Sequence, residues 1–230
     1  MLTALDDSTR EVIGFGLSAG LLAGYHVYLA VRLAKNPDYT IQSVNRSART
    51  AWIEHVMSQQ QNAILGVQTL RNSTMTATFL ASTAVLLIIG ALNMSSRADD
   101  LAQTWNALSI ADAWNPGLWV AKLLLLVADF FAAFFCFAQC IRLFNHVGYQ
   151  LAVPQERRPA SVTPGEVAAH LNRAGLYYTL GMRAYYVSVP LVFWLFGPHL
   201  MLLATMALLV LLYYIDRMPK PITRTPPGHG

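Results

Sequence analysis

The sequence predicts an all-α integral membrane protein with four transmembrane helices and two cytoplasmic amphipathic helical extensions. Of its 230 residues, 55% are hydrophobic and only 12% are charged. Soluble domains carry about 25% charged residues, so this chain has too little polar surface to cover a water-soluble body. It also contains uncharged apolar runs of 18 residues or more, which are long enough to cross a bilayer as helices.

We expect one helical membrane domain over residues 1–217, followed by a disordered Pro-rich tail at 218–230. The predicted spans are about 12–31, 74–92, 118–141 and 184–215. The last apolar run would be about 48 Å long as one helix, against a hydrocarbon core of about 30 Å. We expect a single tilted helix, kinked at Pro190 and at Gly197-Pro198. The alternative is a pair of helices that turns back within this run.

Two amphipathic helices are predicted beside the spans. The first has its apolar stripe at Ile41, Val44, Ala48, Trp52 and Val56, and continues into the second span. Such a helix lies either in the headgroup plane, with arginines on lipid phosphates, or against its own domain. The second helix begins at the capping box Thr163-Pro164-Gly165-Glu166, ahead of the fourth span.

Basic residues follow the first and third spans. They are Lys35, Arg46, Arg49, Arg71, Arg142, Arg157, Arg158, Arg173 and Arg183. The positive-inside rule then places the loops 35–73 and 142–183 in the cytoplasm of a cell (inner) membrane, with both termini outside. If the last run turned back, the tail would lie inside instead. The acidic, Trp-rich segment 94–117 is expected at the opposite interface.

The net charge of +4 belongs mainly to residues beside apolar spans. This pattern favours a bilayer with anionic headgroups as the partner and argues against nucleic acid. Protein partners that fit the class are a second copy of the chain or another membrane subunit. Gly16, Gly20 and Gly24 form a smooth face for close helix approach, and we expect packing within the chain there rather than a dimer seam.

Asp129 is the sharpest candidate for chemistry. It lies about 16 Å into the third span, near the bilayer midplane. An ionisable group at that depth costs roughly 3 kcal/mol or more, and is a candidate proton- or cation-handling carboxylate. The alternative is a structural hydrogen bond to Thr76, Thr83 or a tyrosine of a neighbouring span.

A second candidate site lies at the basic thresholds of the spans. Arg71, Asn72, Arg142 and Arg183 can together bind an anion or a phosphate headgroup. The alternative for the arginines is snorkelling, in which they only fix the depth of their helices.

No catalytic residue, cofactor or metal is predicted. A bis-histidine haem is disfavoured because His26 and His199 differ by roughly 10 Å in height. Cys136 and Cys140, with His146, are too few for a recognisable metal site. No phosphate-binding loop or nucleophile motif occurs, so an enzyme is the less favoured class.

Several short motifs together resemble the membrane family named Domain of Unknown Function 599. They are Asn45-Arg46 with Arg49 and Trp52; Asn62-Ala63-Ile64 with Gln68-Thr69-Leu70-Arg71-Asn72; Lys122, Arg142, His146 and Gly148; and Gly181, Arg183, Tyr185-Tyr186, Pro190-Leu191, Trp194 and Phe196-Gly197-Pro198. The resemblance covers Tyr25 to Asp216 and implies a multi-span helical membrane protein. It brings no established activity, cofactor or catalytic residue.

The sequence therefore favours a non-enzymatic membrane component that binds lipid or a partner subunit. The alternative is a small transporter or channel with Asp129 in its path. A membrane enzyme acting on lipid headgroups has the least support.

Overall fold

The computed structural model describes residues 7–36, 39–96 and 116–217, and within these ranges its regular secondary structure is helical, without strands. The helices are α1 (Asp7–Lys35), α2 (Ile41–Ser58), α3 (Ala63–Ser96), α4 (Pro116–Ala152), α5 (Pro164–Trp194) and α6 (Pro198–Asp216). Among them α1, α3, α4 and α6 are long and apolar enough to cross a bilayer. The predicted all-α membrane class is confirmed. The segment 97–115 of the predicted acidic loop, and the predicted tail, lie outside the described residues.

The last apolar run, 184–215, is divided between the end of α5 and the helix α6. Between them Gly197 has φ of +135°, a conformation that favours glycine, and Pro198 occupies the first turn of α6. Arg183 of α5 donates to Asp216 of α6 at 3.1 Å, so α6 runs back along α5. The expectation of one tilted, kinked helix is therefore wrong, and the turning alternative is correct.

Helix α1 runs parallel to α6. A Cβ added at Gly14 would lie 2.7 Å from Pro198 Cβ, and Tyr25 donates to Asp216 at 2.9 Å. Because α1 and α6 run in the same direction, α1 begins at one end of the bundle and α6 ends at the other. The first and last described residues therefore lie at opposite ends. This contradicts the expectation that both termini lie outside.

We name the two ends of the bundle by their residues. The closed end holds Glu11, Lys122 and Trp194, and the basic end holds α2 and Asp216. At the basic end the buried Ile53, Val56 and Met57 of α2 join the core formed with Leu151 and Val167. Of the two interpretations of this helix, its C-terminal half follows the second, packing on its own domain.

The connection from α2 to α3 is broken. Gln59 is extended and is followed by a 3₁₀ turn at Gln60–Asn62. The expectation that the two helices are continuous is therefore wrong. The predicted capping box is confirmed, since Thr163 Oγ1 accepts from Glu166 N and Glu166 accepts from Thr163 N.

Small residues bring the central helices together. Ala77, Ala81 and Ala84 of α3 are buried, and on α5 a Cβ at Gly181 would lie 2.8 Å from the ring of the fully buried Phe137. Close backbone approach is the usual basis of helix packing in lipid.

The glycine face of α1 has a different role from the one expected. A Cβ added at Gly16, Gly20 or Gly24 would meet no described atom within 4 Å. Within the described residues this face does not pack as expected, because α1 uses the face with Glu11 and Gly14 instead.

Candidate functional site

An open groove of about 1380 Å³ lies at the basic end, between α1, α2, α3 and α5. Its apolar lining comes mainly from leucines, at Leu29, Leu33, Leu176 and Leu180. Its polar lining includes arginines, hydroxyl groups and amides from α2, α3 and α5. A groove with both kinds of lining fits an amphiphile, with its polar group and its chain in separate parts.

Arg49 is the best-positioned cation of this groove. Its Nε donates to Asn172 Oδ1 at 3.0 Å, and Asn172 in turn donates to Thr50 at 3.1 Å. Gly175 of α5 makes room for the guanidinium, because a Cβ there would lie 2.8 Å from Cζ. Burial, and next the positive charge of Arg46, lower the pKa of Arg49. The half-buried guanidinium is thus fixed in position beside another cation.

The groove is cationic. Arg46, Arg49, Arg173 and Arg183 line it, and among the described residues its lining contains neither Asp nor Glu. Arg183 is neutralised by Asp216, whereas the other three form no ion pair with a described carboxylate. The net charge of the lining therefore favours an anion.

The groove contains only one of the four residues of the predicted anion site. Arg183 lines the groove, but Arg71, Asn72 and Arg142 are exposed outside it. Arg46 and Arg49 were recognised in the sequence only as headgroup contacts of an amphipathic helix. Arg173 carried no signal beyond charge, because its position depends on how α5 crosses α2.

Asp129 lies on α4 outside the groove. Its Oδ2 is buried and has no hydrogen-bond partner among the described residues. Thr76 and Thr83, the partners considered for it, donate instead to Asn72 O and Phe79 O of their own helix. A buried carboxylate oxygen without a described partner is a candidate for proton handling.

The closed end contains a buried ion pair that the sequence did not indicate. Lys122 Nζ lies 2.7 Å from Glu11 Oε1 and donates to Trp194 O at 3.0 Å. Trp194 Nε1 donates to Glu11 Oε2 at 2.6 Å, and Phe15 stacks on the indole at 4.9 Å. Glu11 precedes the first predicted span, so nothing marked it as a partner for Lys122.

The described residues contain no group of three or more His, Cys, Asp or Glu side chains placed to hold a metal ion. Cys136 and Cys140 are free thiols on α4. The candidate site consists of the groove arginines and the polar groups that line the groove beside them.

Comparison with known proteins gives one match. The model of the family described as "Protein of unknown function, DUF599" matches residues 13–221, which confirms the resemblance found in the sequence. Neither the curated proteins nor the solved structures contain a match to this chain.

Proposed function

We propose that this chain, which belongs to the DUF599 family, is a non-enzymatic membrane protein. Its proposed ligand is an anionic lipid that binds in the groove at the basic end. The observation that carries the proposal is the lining of the groove, where Arg46, Arg49 and Arg173 have no described carboxylate partner. A phosphate group is the natural counter-ion for such a set, because guanidinium groups bind it through charge-assisted hydrogen bonds.

The apolar part of the groove supports a lipid over a soluble anion. Leu29 and Leu33 of α1 and Leu176 and Leu180 of α5 all line it. An acyl chain that covers these leucines leaves its phosphate free to reach α2. Arg49 is the anchor we favour, since Asn172 and Gly175 already fix its guanidinium.

The test measures anionic phospholipid that remains bound to the detergent-purified protein, by native mass spectrometry. The triple variant R46Q/R49Q/R173Q removes the unpaired charges of the groove. We expect a loss of at least about tenfold in bound anionic lipid, since hydrogen bonds to charged groups contribute about 1.5–3 kcal/mol each.

The matched control is R71Q/R142Q/R157Q, which removes the same charge from arginines exposed outside the groove. We expect a loss below about twofold, because exposed charges act only through screened attraction. Equal losses in the two variants would overturn the groove as a binding site and favour general attraction to the bilayer.

We also propose that the basic end faces the cytoplasm of an inner membrane. Support comes from the positive charge that collects there, now joined by Arg217 at the end of α6. A cysteine introduced by S161C, between α4 and α5, should react with a membrane-impermeant maleimide in inverted vesicles and not in spheroplasts. Labelling in spheroplasts alone would reverse the orientation.

A second candidate function is a small transporter or channel that conducts protons through Asp129, whose buried Oδ2 has no hydrogen-bond partner among the described residues. Proteoliposomes should then dissipate an imposed pH gradient faster than empty liposomes, and D129N should abolish the difference. Equal rates for wild-type and empty liposomes, or for wild type and D129N, would remove this candidate.

A further inference from the structure

Four serine and threonine hydroxyl groups line the groove from α3 and α5. Thr69, Ser73 and Thr76 share one face of α3, and Thr179 lies on α5. Each donates its hydrogen to the backbone carbonyl four residues earlier, at 2.9–3.2 Å. A hydroxyl bound in this way keeps lone pairs for a further partner. The four groups therefore present acceptors to the groove.

His26 adds another acceptor. Its Nδ1 lies 2.8 Å from the carbonyl oxygen of Leu22, and the ring lines the groove. Because a carbonyl oxygen can only accept, Nδ1 carries the hydrogen in this contact. The Nε2 of the neutral ring is then left with a lone pair.

The groove thus offers two complementary sets of groups. The arginines supply only donors, whereas the hydroxyls and His26 supply acceptors. A ligand that satisfies both sets carries an anionic group and, close to it, neutral hydroxyl donors. An ammonium group could also donate, but it would be repelled by Arg46, Arg49 and Arg173, with no carboxylate in the described lining to offset them.

We infer that the lipid selected by the groove has a phosphodiester headgroup with free hydroxyls, of the phosphatidylglycerol class. This inference rests on the proposed function and narrows its ligand. In this arrangement the phosphate binds the groove arginines. The headgroup hydroxyls donate to the α3 hydroxyl row formed by Thr69, Ser73 and Thr76.

The experiment compares two lipids of equal charge, one with two free headgroup hydroxyls and the other with none. Phosphatidylglycerol and phosphatidylethanol with the same acyl chains carry the same charge, and both are offered to the delipidated full chain in detergent. We expect phosphatidylglycerol to bind about five- to tenfold more tightly, because its two headgroup hydroxyls can donate two hydrogen bonds of the strength found between membrane helices. Equal binding of the two lipids would overturn the inference.

The variant T69V/S73A/T76V removes the α3 hydroxyl row with little change in volume. We expect its preference for phosphatidylglycerol to fall below about twofold, while phosphatidylethanol binding is unchanged. The matched control is T78V/T83V, whose hydroxyls also bond their own helix but do not line the groove. It should keep the full preference, and an undiminished preference in the triple variant would contradict the inference.

Two further arms keep the result interpretable. If the triple variant does not fold, S73A alone in the α3 hydroxyl row should lower the preference about twofold, and no change would count against the inference. Complete displacement of lipid by soluble glycerol 1-phosphate would show that the acyl chain is not recognised. Loss of selectivity with retained dependence on the groove arginines overturns only this inference, whereas indifference to those arginines overturns the proposed function.

Discussion

The two ends of the bundle treat charge in opposite ways. At the closed end, Lys122 and Glu11 are 5% and 7% exposed and satisfy each other together with Trp194. At the basic end, Arg46 and Arg173 line an open groove without a described carboxylate partner. A charge withdrawn from water must be paired, whereas a charge left beside open space is free to pair with a ligand. The first arrangement holds helices together, and the second suits recognition.

The largest expected effect tests the closed end. K122M leaves the Glu11 carboxylate buried without its cation, and breaking such a pair costs about 3–5 kcal/mol. We expect a large fall in the thermal unfolding midpoint in detergent, with α1 detached from the bundle. Proteolysis within α1 should accelerate accordingly.

The double variant E11Q/K122M is the control for this prediction. It removes both charges, so most of the lost stability should return. A single variant as stable as wild type would mean that water reaches the pair. The closed end would then differ from the basic end only in composition.

Much of the fold could be predicted from the sequence because it depends on local signals. The apolar runs, the capping box and the basic flanks each follow from residues adjacent in the chain. The turn at Gly197 could not be predicted by the same means. Leu195 and Pro198 on either side of it are buried, so no polar residue marks the reversal. The turn depends on tertiary packing at the closed end.

The candidate site was predictable only in part for a related reason. Charge and amphipathic spacing identified Arg46, Arg49 and Arg183 as residues for anions. Which arginines share a groove depends on how α2 crosses α5, and the space for the Arg49 guanidinium at that crossing is left by Gly175. The partners of Glu11 are also far along the chain, so spacing alone could not identify them.

A smaller effect is expected from two matched glycine substitutions on α5. In G181A the new methyl group meets the rigid, fully buried ring of Phe137, and overpacking of this kind costs about 1–3 kcal/mol. In G175A it meets the far end of the Arg49 side chain, which can move. We expect G181A to lower the unfolding midpoint and keep lipid binding.

G175A should do the reverse, keeping its midpoint and losing bound anionic lipid. Gain of helix propensity on replacing glycine by alanine applies to both variants and cancels in the comparison. If G175A unfolded as early as G181A, the Arg49 contact would be structural. Arg49 at the basic end would then hold helices together, as the ion pair at the closed end does.

The smallest expected effect concerns Asp216, which pairs with the groove residue Arg183. Its carboxylate accepts from Tyr25, Gln42 and Arg183, so Y25F leaves two of three donors in place. Loss of one such bond costs about 0.6–1 kcal/mol, which corresponds to a fall of roughly 1–4 °C in the unfolding midpoint for a chain of this size. Because α1 remains clamped by Glu11 at the closed end, we expect this shift to be far below that of K122M. A fall as large as that of K122M would mean that α1 is held mainly at the basic end. The contacts that hold α1 and the groove would then lie at the same end of the bundle.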